Sequence, residues 1–210
     1  MQPPERSPER DAAIDALLPN VPFDGWTFKA LRLGLAAAAL PEEDAELLFP
    51  DGTAGMIEAF CDLADRRMEE GAAGLDLAGL RTPGRVRAVL ALRLRQNRPH
   101  KEAVRRAVSV LFLPRYAGVG AACTARTVDA IWHAAGDRSA DFSWYTKRAI
   151  LASIYSATLL YWLRDTSDDD AATLAFLDRR LAGVGRFGRM RAETGRLFRR
   201  LTPLRLRETG

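Results

Sequence analysis

Apolar residues recur along almost the whole chain at three- and four-residue steps, and no stretch alternates apolar and polar residues as a strand would. This spacing, cut by Pro, Gly and Asp or Ser caps, predicts about nine helices. The first runs from about Pro8 to Leu18 and stops at Pro19. A second starts after Asp24-Gly25-Trp26-Thr27 and reaches about Ala38. A short third covers Pro41 to Phe49, where Glu42, Glu43 and Asp44 suit the positive end of the helix dipole. A fourth spans Ala54 to Glu70, and Gly71 to Gly79 is a small-residue loop. Thr82-Pro83 supplies an N-cap and first position for a helix to Arg98, which Pro99 ends. His100 to Leu113 follows, then Gly118 to Ala135, closed by Gly136. Asp141 caps the longest apolar helix, Phe142 to Arg164, and Thr166 to Asp170 turns the chain into a last helical stretch, Ala171 to about Leu201.

Composition agrees with this all-α reading. Ala, Leu and Arg are abundant, and 48% of the 210 residues are hydrophobic, enough for one sizeable core. The charged, proline-rich start does not read as a signal peptide. The longest apolar run, Ala149 to Leu163, is shorter than the roughly 20 residues of a spanning helix. A cytoplasmic location is therefore expected. Cys61 and Cys123 lie far apart with no metal-binding spacing.

The net charge of +4 would suit nucleic acid or anionic lipid, and its distribution decides between them. From Leu33 to Asp65 there is no Lys or Arg, but there are eight carboxylates, from Glu42 to Asp65. Three short helices followed by a longer one, as here, resemble the helix-turn-helix region of tetracycline-repressor proteins, whose third helix enters the major groove. The third helix here carries acidic residues and no cation, so a phosphate backbone would repel it, and no nucleic-acid partner is expected. The basic surplus sits beyond Asp178. There Leu181, Val184, Phe187, Phe198 and Leu201 recur on one stripe, with Arg191 among the many arginines around them. That is the pattern of an amphipathic helix lying on an anionic membrane surface.

Motifs for catalysis are weak. Gly183-Val-Gly185-Arg-Phe-Gly188 matches a dinucleotide fingerprint but follows no strand. Asp129, His133 and Asp137 share one helix face, a possible ligand set, yet a hydrogen-bonded histidine near a helix end reads better. Neither catalytic nor metal residues are expected; an enzyme with an unrecognised site would centre on His133 and Asp137. The helix from Phe142 onward is apolar on most of its circumference, so it is either a central core helix or the lining of an apolar cavity.

Several segments carry a resemblance. Thr127-Val-Asp129-Ala-Ile-Trp132-His133-Ala-Ala-Gly136-Asp137, Asp141-Phe-Ser-Trp144-Tyr145-Thr-Lys147-Arg148, Tyr155 to Trp162, and Phe176-Leu-Asp178-Arg179-Arg180 resemble the coenzyme Q biosynthesis protein nine family. Phe23-Asp-Gly25-Trp26, Leu48-Phe49-Pro50 and Pro99-His100-Lys-Glu-Ala-Val-Arg105-Arg106 extend it over most of the chain. Ser143 departs from the Asn common before that Trp. The resemblance implies a tetracycline-repressor-like helical bundle, usually a homodimer, whose helix-turn-helix no longer serves DNA. Residues 1–75 would form that degenerate region, 76–178 the lipid-binding region, and 179–210 an amphipathic C-terminal membrane-binding helix. It implies a non-enzyme of ubiquinone synthesis, peripheral on the inner face of the cytoplasmic membrane. This protein would hold an isoprenoid quinone or phospholipid and present quinone intermediates to the demethoxyubiquinone hydroxylase. Ile150, Leu151, Ile154, Tyr155, Leu159 and Trp162 would contact the lipid, and Asp141, Trp144 and Tyr145 the partner. Leu181, Val184, Phe187, Arg191, Phe198 and Leu201 would meet the membrane. A transcriptional regulator with an apolar effector pocket is the rival reading.

Overall fold

The computed structural model describes residues 4–137 and 143–183, with side chains in the last long helix from Tyr145 onward. Among the described residues every regular element is helical. In order they are α1 (Pro8–Leu17), α2 (Val21–Asp24), α3 (Phe28–Ala37), α4 (Ala45–Leu48), α5 (Gly52–Ala72), α6 (Thr82–Asn97), α7 (Lys101–Leu111), α8 (Ala117–Ala134), α9 (Ser143–Trp162) and α10 (residues 171–183).

Local chemistry sets most ends. Ser7 Oγ accepts from Arg10 N at 3.2 Å and Thr27 Oγ1 from Ala30 N at 3.2 Å, so each hydroxyl satisfies an orphan donor of its helix. Gly136, with φ +77°, ends α8: Asp137 N reaches Trp132 O (3.0 Å) and Gly136 N reaches His133 O (2.9 Å), the paired bonds of a Schellman turn. A Cβ at a positive φ is strained, so Gly136→Ala is expected to cost about 1 kcal/mol and lower Tm by about 2–4 °C, measurable by circular dichroism melting.

Four features differ from the sequence reading. The short α2 falls between the stop at Pro19 and the start after Thr27, where the sequence reading places no helix. The third helix is a 3-10 turn, Glu42–Asp44, leading into one turn of α4. Thr82 is the first residue of α6 and not its cap, and the chain passes Pro99 through a 3-10 turn, Arg98–His100, directly into α7.

α1 packs on α3, and both lie against the long α5, which also runs between α6 and α8. α9 covers α8 and α6. One apolar core runs without a break across residue 75, from Ile14 and Leu17 through Met68 and Leu90 to Ile131, Leu151 and Leu177. Trp26 bridges the two halves: its Nε1 donates to Ala103 O on α7 (3.1 Å), and its own carbonyl accepts from Thr53 Oγ1 (2.8 Å). Asp165 fastens the start of α10. Its carboxylate accepts from Ser167 N (2.8 Å) and Thr173 N (2.7 Å) and from both hydroxyls, which hold it well below the usual carboxylate range against its own burial. Among the described residues no single helix is long and apolar enough to cross a membrane.

Candidate functional site

Where α5 to α9 meet, the core is not filled. A cavity of about 730 Å³ lies between them, large enough for a drug-sized or lipid-sized guest. Phe60 and Cys61 of α5 and Arg93, Leu94 and Asn97 of α6 form its floor. Val104, Ala107, Val108 and Leu111 of α7 form one wall, spaced as one face of a helix. Opposite, α8 contributes Ala117, Gly120, Ala121, Thr124 and Thr127, whose small side chains are the reason space remains. Ala152, Tyr155, Ser156, Leu159 and Trp162 of α9 complete the enclosure. The cavity reaches the surface beside Phe112, 70% exposed, and Leu160, 43% exposed.

The lining is apolar except at one end. There Arg93, 5% exposed, pairs through Nη2 with Asp65 Oδ1 at 3.0 Å, and Asp65 Oδ2 accepts from Thr127 Oγ1 at 2.9 Å. Burial pushes the Asp65 carboxyl up to about 6, although Arg93 and the Thr127 hydroxyl both favour its charged form. Burial alone would lower Arg93; Asp65 and the Tyr155 hydroxyl against its guanidinium outweigh that and raise it. Burial raises Tyr155 itself. Cys61 and Cys123 are free thiols, and the Cys61 thiol is pushed up by its contact with Cys123 and by burial.

The residues expected to touch lipid divide. Tyr155, Leu159 and Trp162 line the cavity. Leu151 and Ile154 are buried in the core without lining the cavity, and Ile150 is 38% exposed, so the structure brings none of these three to the cavity. Of the partner-facing set, Tyr145 is 76% exposed, while Asp141 and the side chain of Trp144 lie outside the described residues. Leu181 is half-buried against the core; Val184, Phe187, Arg191, Phe198 and Leu201 lie outside the described residues. His133 Nδ1 sits 3.0 Å from Glu69, while Asp129 pairs with Arg148 and Asp137 with Lys147. Among the described residues no group of His, Cys, Asp and Glu is arranged to hold a metal ion.

The fold and cavity define a class: a repressor-like helical bundle with an apolar chamber among α5 to α9. The same fold occurs in a solved TetR transcriptional regulator from Nitrosomonas europaea ATCC 19718, which superposes with a TM-score of 0.67 at 23% identity, covering 84% of this chain and 97% of that one. The model of the COQ9 family matches residues 117–188, from the start of α8 onward. The "Ubiquinone biosynthesis protein COQ9, mitochondrial" of Rattus norvegicus is 35% identical over 175 residues, covering 80% of this chain and 56% of the rat protein. Its Homo sapiens counterpart is likewise 35% identical, covering 80% and 55%, and that of Schizosaccharomyces pombe 31%, covering 80% and 66%. The chain belongs to the COQ9 family. It spans about half the length of the rat and human relatives it matches.

Proposed function

We propose that this chain is a lipid-binding accessory protein of ubiquinone biosynthesis that shelters an isoprenoid quinone precursor, or a phospholipid in its place, inside the α5–α9 chamber. The observation that carries the reading is the chamber itself: about 730 Å³ of largely apolar space among α5 to α9. Water in an apolar cavity of this size has few hydrogen-bond partners on the lining, so an apolar guest that displaces it is favoured. A prenyl chain fits the need, since each buried methylene contributes about 0.8 kcal/mol. The relatives are named for ubiquinone biosynthesis, which supports the choice of guest. In this reading the arginine-rich segment after Asp178 docks on the inner face of the membrane. Two copies pair, and the face carrying Tyr145 meets the demethoxyubiquinone hydroxylase, which performs the chemistry. The acidic residues Glu42, Glu43, Asp44 and Glu46, at the place where a repressor reads DNA, favour this over a regulator, because they repel phosphate.

Obstruction tests it. Gly120 and Thr124 lie one turn apart on the α8 wall, so Gly120→Phe with Thr124→Trp places two rings in the chamber. Mass spectrometry of lipid extracted from purified protein is expected to show a prenylated or acyl lipid in the wild type. The loss of even two buried methylenes lowers occupancy more than about tenfold. Lipid-free wild-type protein, or equal occupancy in the variant, overturns the assignment.

A further inference from the structure

The chamber's unmet polar groups fix what its guest must carry. Arg93 is buried and lines the chamber; its Nη2 is ion-paired with Asp65 Oδ1, the Tyr155 hydroxyl stands near its guanidinium, and its Nε and Nη1 make no hydrogen bond. Trp162, wholly buried on the same lining, has an unpartnered Nε1. Among the described lining residues these are the only buried side-chain nitrogen and oxygen atoms without a hydrogen-bond partner, and every one is a donor; the one unmet acceptor beside them, Asp65 Oδ1, lies behind Arg93 and off the lining. Buried donors, above all charged ones, are costly when unmet. The rim at Phe112 and Leu160 is apolar and exposed, so the polarity of the chamber runs opposite to that of a pocket with a wet mouth.

Resting on the lipid-binding reading above, we propose that the chamber takes an amphiphile head first. An acceptor-rich head of the quinone or other carbonyl class meets Arg93 and Trp162, and the hydrocarbon tail runs out past Phe112 and Leu160. A hydrocarbon of the same shape leaves the donors unmet and binds more weakly. The chamber therefore selects by oxygen acceptors at its closed end, and the tail contributes affinity without selecting.

Displacement of the apolar fluorophore N-phenyl-1-naphthylamine from the full chain tests this with decyl-benzoquinone against decylbenzene, its oxygen-free counterpart. The wild type is expected to prefer the quinone by about tenfold or more, the range of hydrogen bonds to a charged donor. Arg93→Lys keeps the cation beside Asp65 but removes Nε and Nη1, and is expected to bring the ratio close to one. Trp162→Phe, which leaves the ion pair intact, is expected to lower it partially. Equal affinities in the wild type, or a ratio that survives both substitutions, overturn the acceptor-head inference while lipid binding stands. Displacement by neither compound removes the lipid-binding reading, and this inference with it.

Discussion

Gly34→Ala is expected to destabilise the protein by about 3 kcal/mol or more, at the upper end of overpacking costs, and to lower Tm by about 6–12 °C. An added Cβ at Gly34 would stand 2.2 Å from the carbonyl oxygen of Ala16 and 2.6 Å from its carbonyl carbon, well inside van der Waals contact. Both obstructing atoms are backbone, so no rotamer change relieves them and α1 must move away from α3. That separation would open the packing around Ile14, Leu17, Leu31 and Leu35, all buried to within 1% of completely. Gly118→Ala makes the control. No atom lies within 4 Å of its added Cβ, and the helical α8 backbone gains from losing a glycine, by up to about 1 kcal/mol. Guanidinium unfolding of the two variants separates the packing effect from glycine's general cost in helices. Equal midpoints for Gly34→Ala and the wild type would mean that α1 and α3 do not meet at this glycine.

The elements that could be read from sequence are those set within a few residues of themselves. Ser7 before Pro8, Thr27 before Phe28, and Gly136 after α8 each act through a hydrogen bond or a backbone angle that neighbouring residues determine. The misreadings arise where local signals compete. Pro22 is compatible with both a loop and the first turn of a helix, and in the fold it opens α2. Pro41 is compatible with a first helical position, but the residues after it wind more tightly and only Ala45–Leu48 is α-helical. Gly34 carried no signal at all, because the need for a missing side chain arises from α1, which reaches it only on folding.

The candidate site was legible in part for a related reason. α9 is apolar around most of its surface, which marks it as central without saying which face meets empty space. Tyr155, Leu159 and Trp162 reach the cavity, whereas Leu151, one turn before Tyr155, and Ile154 are buried in the core without lining it. The stripe Val104, Ala107, Val108 and Leu111 on α7 is periodic enough to flag a buried face, and the small residues of α8 hint at a thin wall. A void, however, belongs to several helices together and leaves no mark on any one. Arg93 is hidden in the sequence because it sits among Arg85, Arg87 and Arg95 on α6, arginines that read as solvated. Only the packing of α5 against α6 brings Asp65 beside it.

That pair supports the second large effect. Arg93→Met is expected to cost about 3–5 kcal/mol at pH 8, because it leaves the Asp65 carboxyl buried without its cation. The cost should depend on pH in a stated direction. In the wild type, Asp65 titrates at about 6 in the fold against 3.8 in the ordinary state. The native state then holds the proton more tightly, and this group's contribution to stability is present below pH 4 and is lost as pH rises to about 6, on the order of 3 kcal/mol. Above pH 6 the contribution is flat, because the charged carboxylate beside Arg93 persists in the fold. Without Arg93 the folded carboxyl climbs further, so the variant goes on losing stability above pH 6 where the wild type does not. The deficit therefore opens between about pH 6 and 8 and is small near pH 5. Asp62, which Arg6 and Arg66 hold below its ordinary value against its burial, and Asp165 make the opposite contribution, lost as pH falls. Both are present in the two proteins, and the difference between their unfolding midpoints cancels them. Arg93→Met combined with Asp65→Leu removes both charges and is expected to regain most of the loss, since a buried pair replaced by apolar groups of similar size is often neutral. A deficit that is the same at pH 5 and pH 8, or a double variant no better than Arg93→Met alone, would mean that the ion pair is not what holds this end of the chamber.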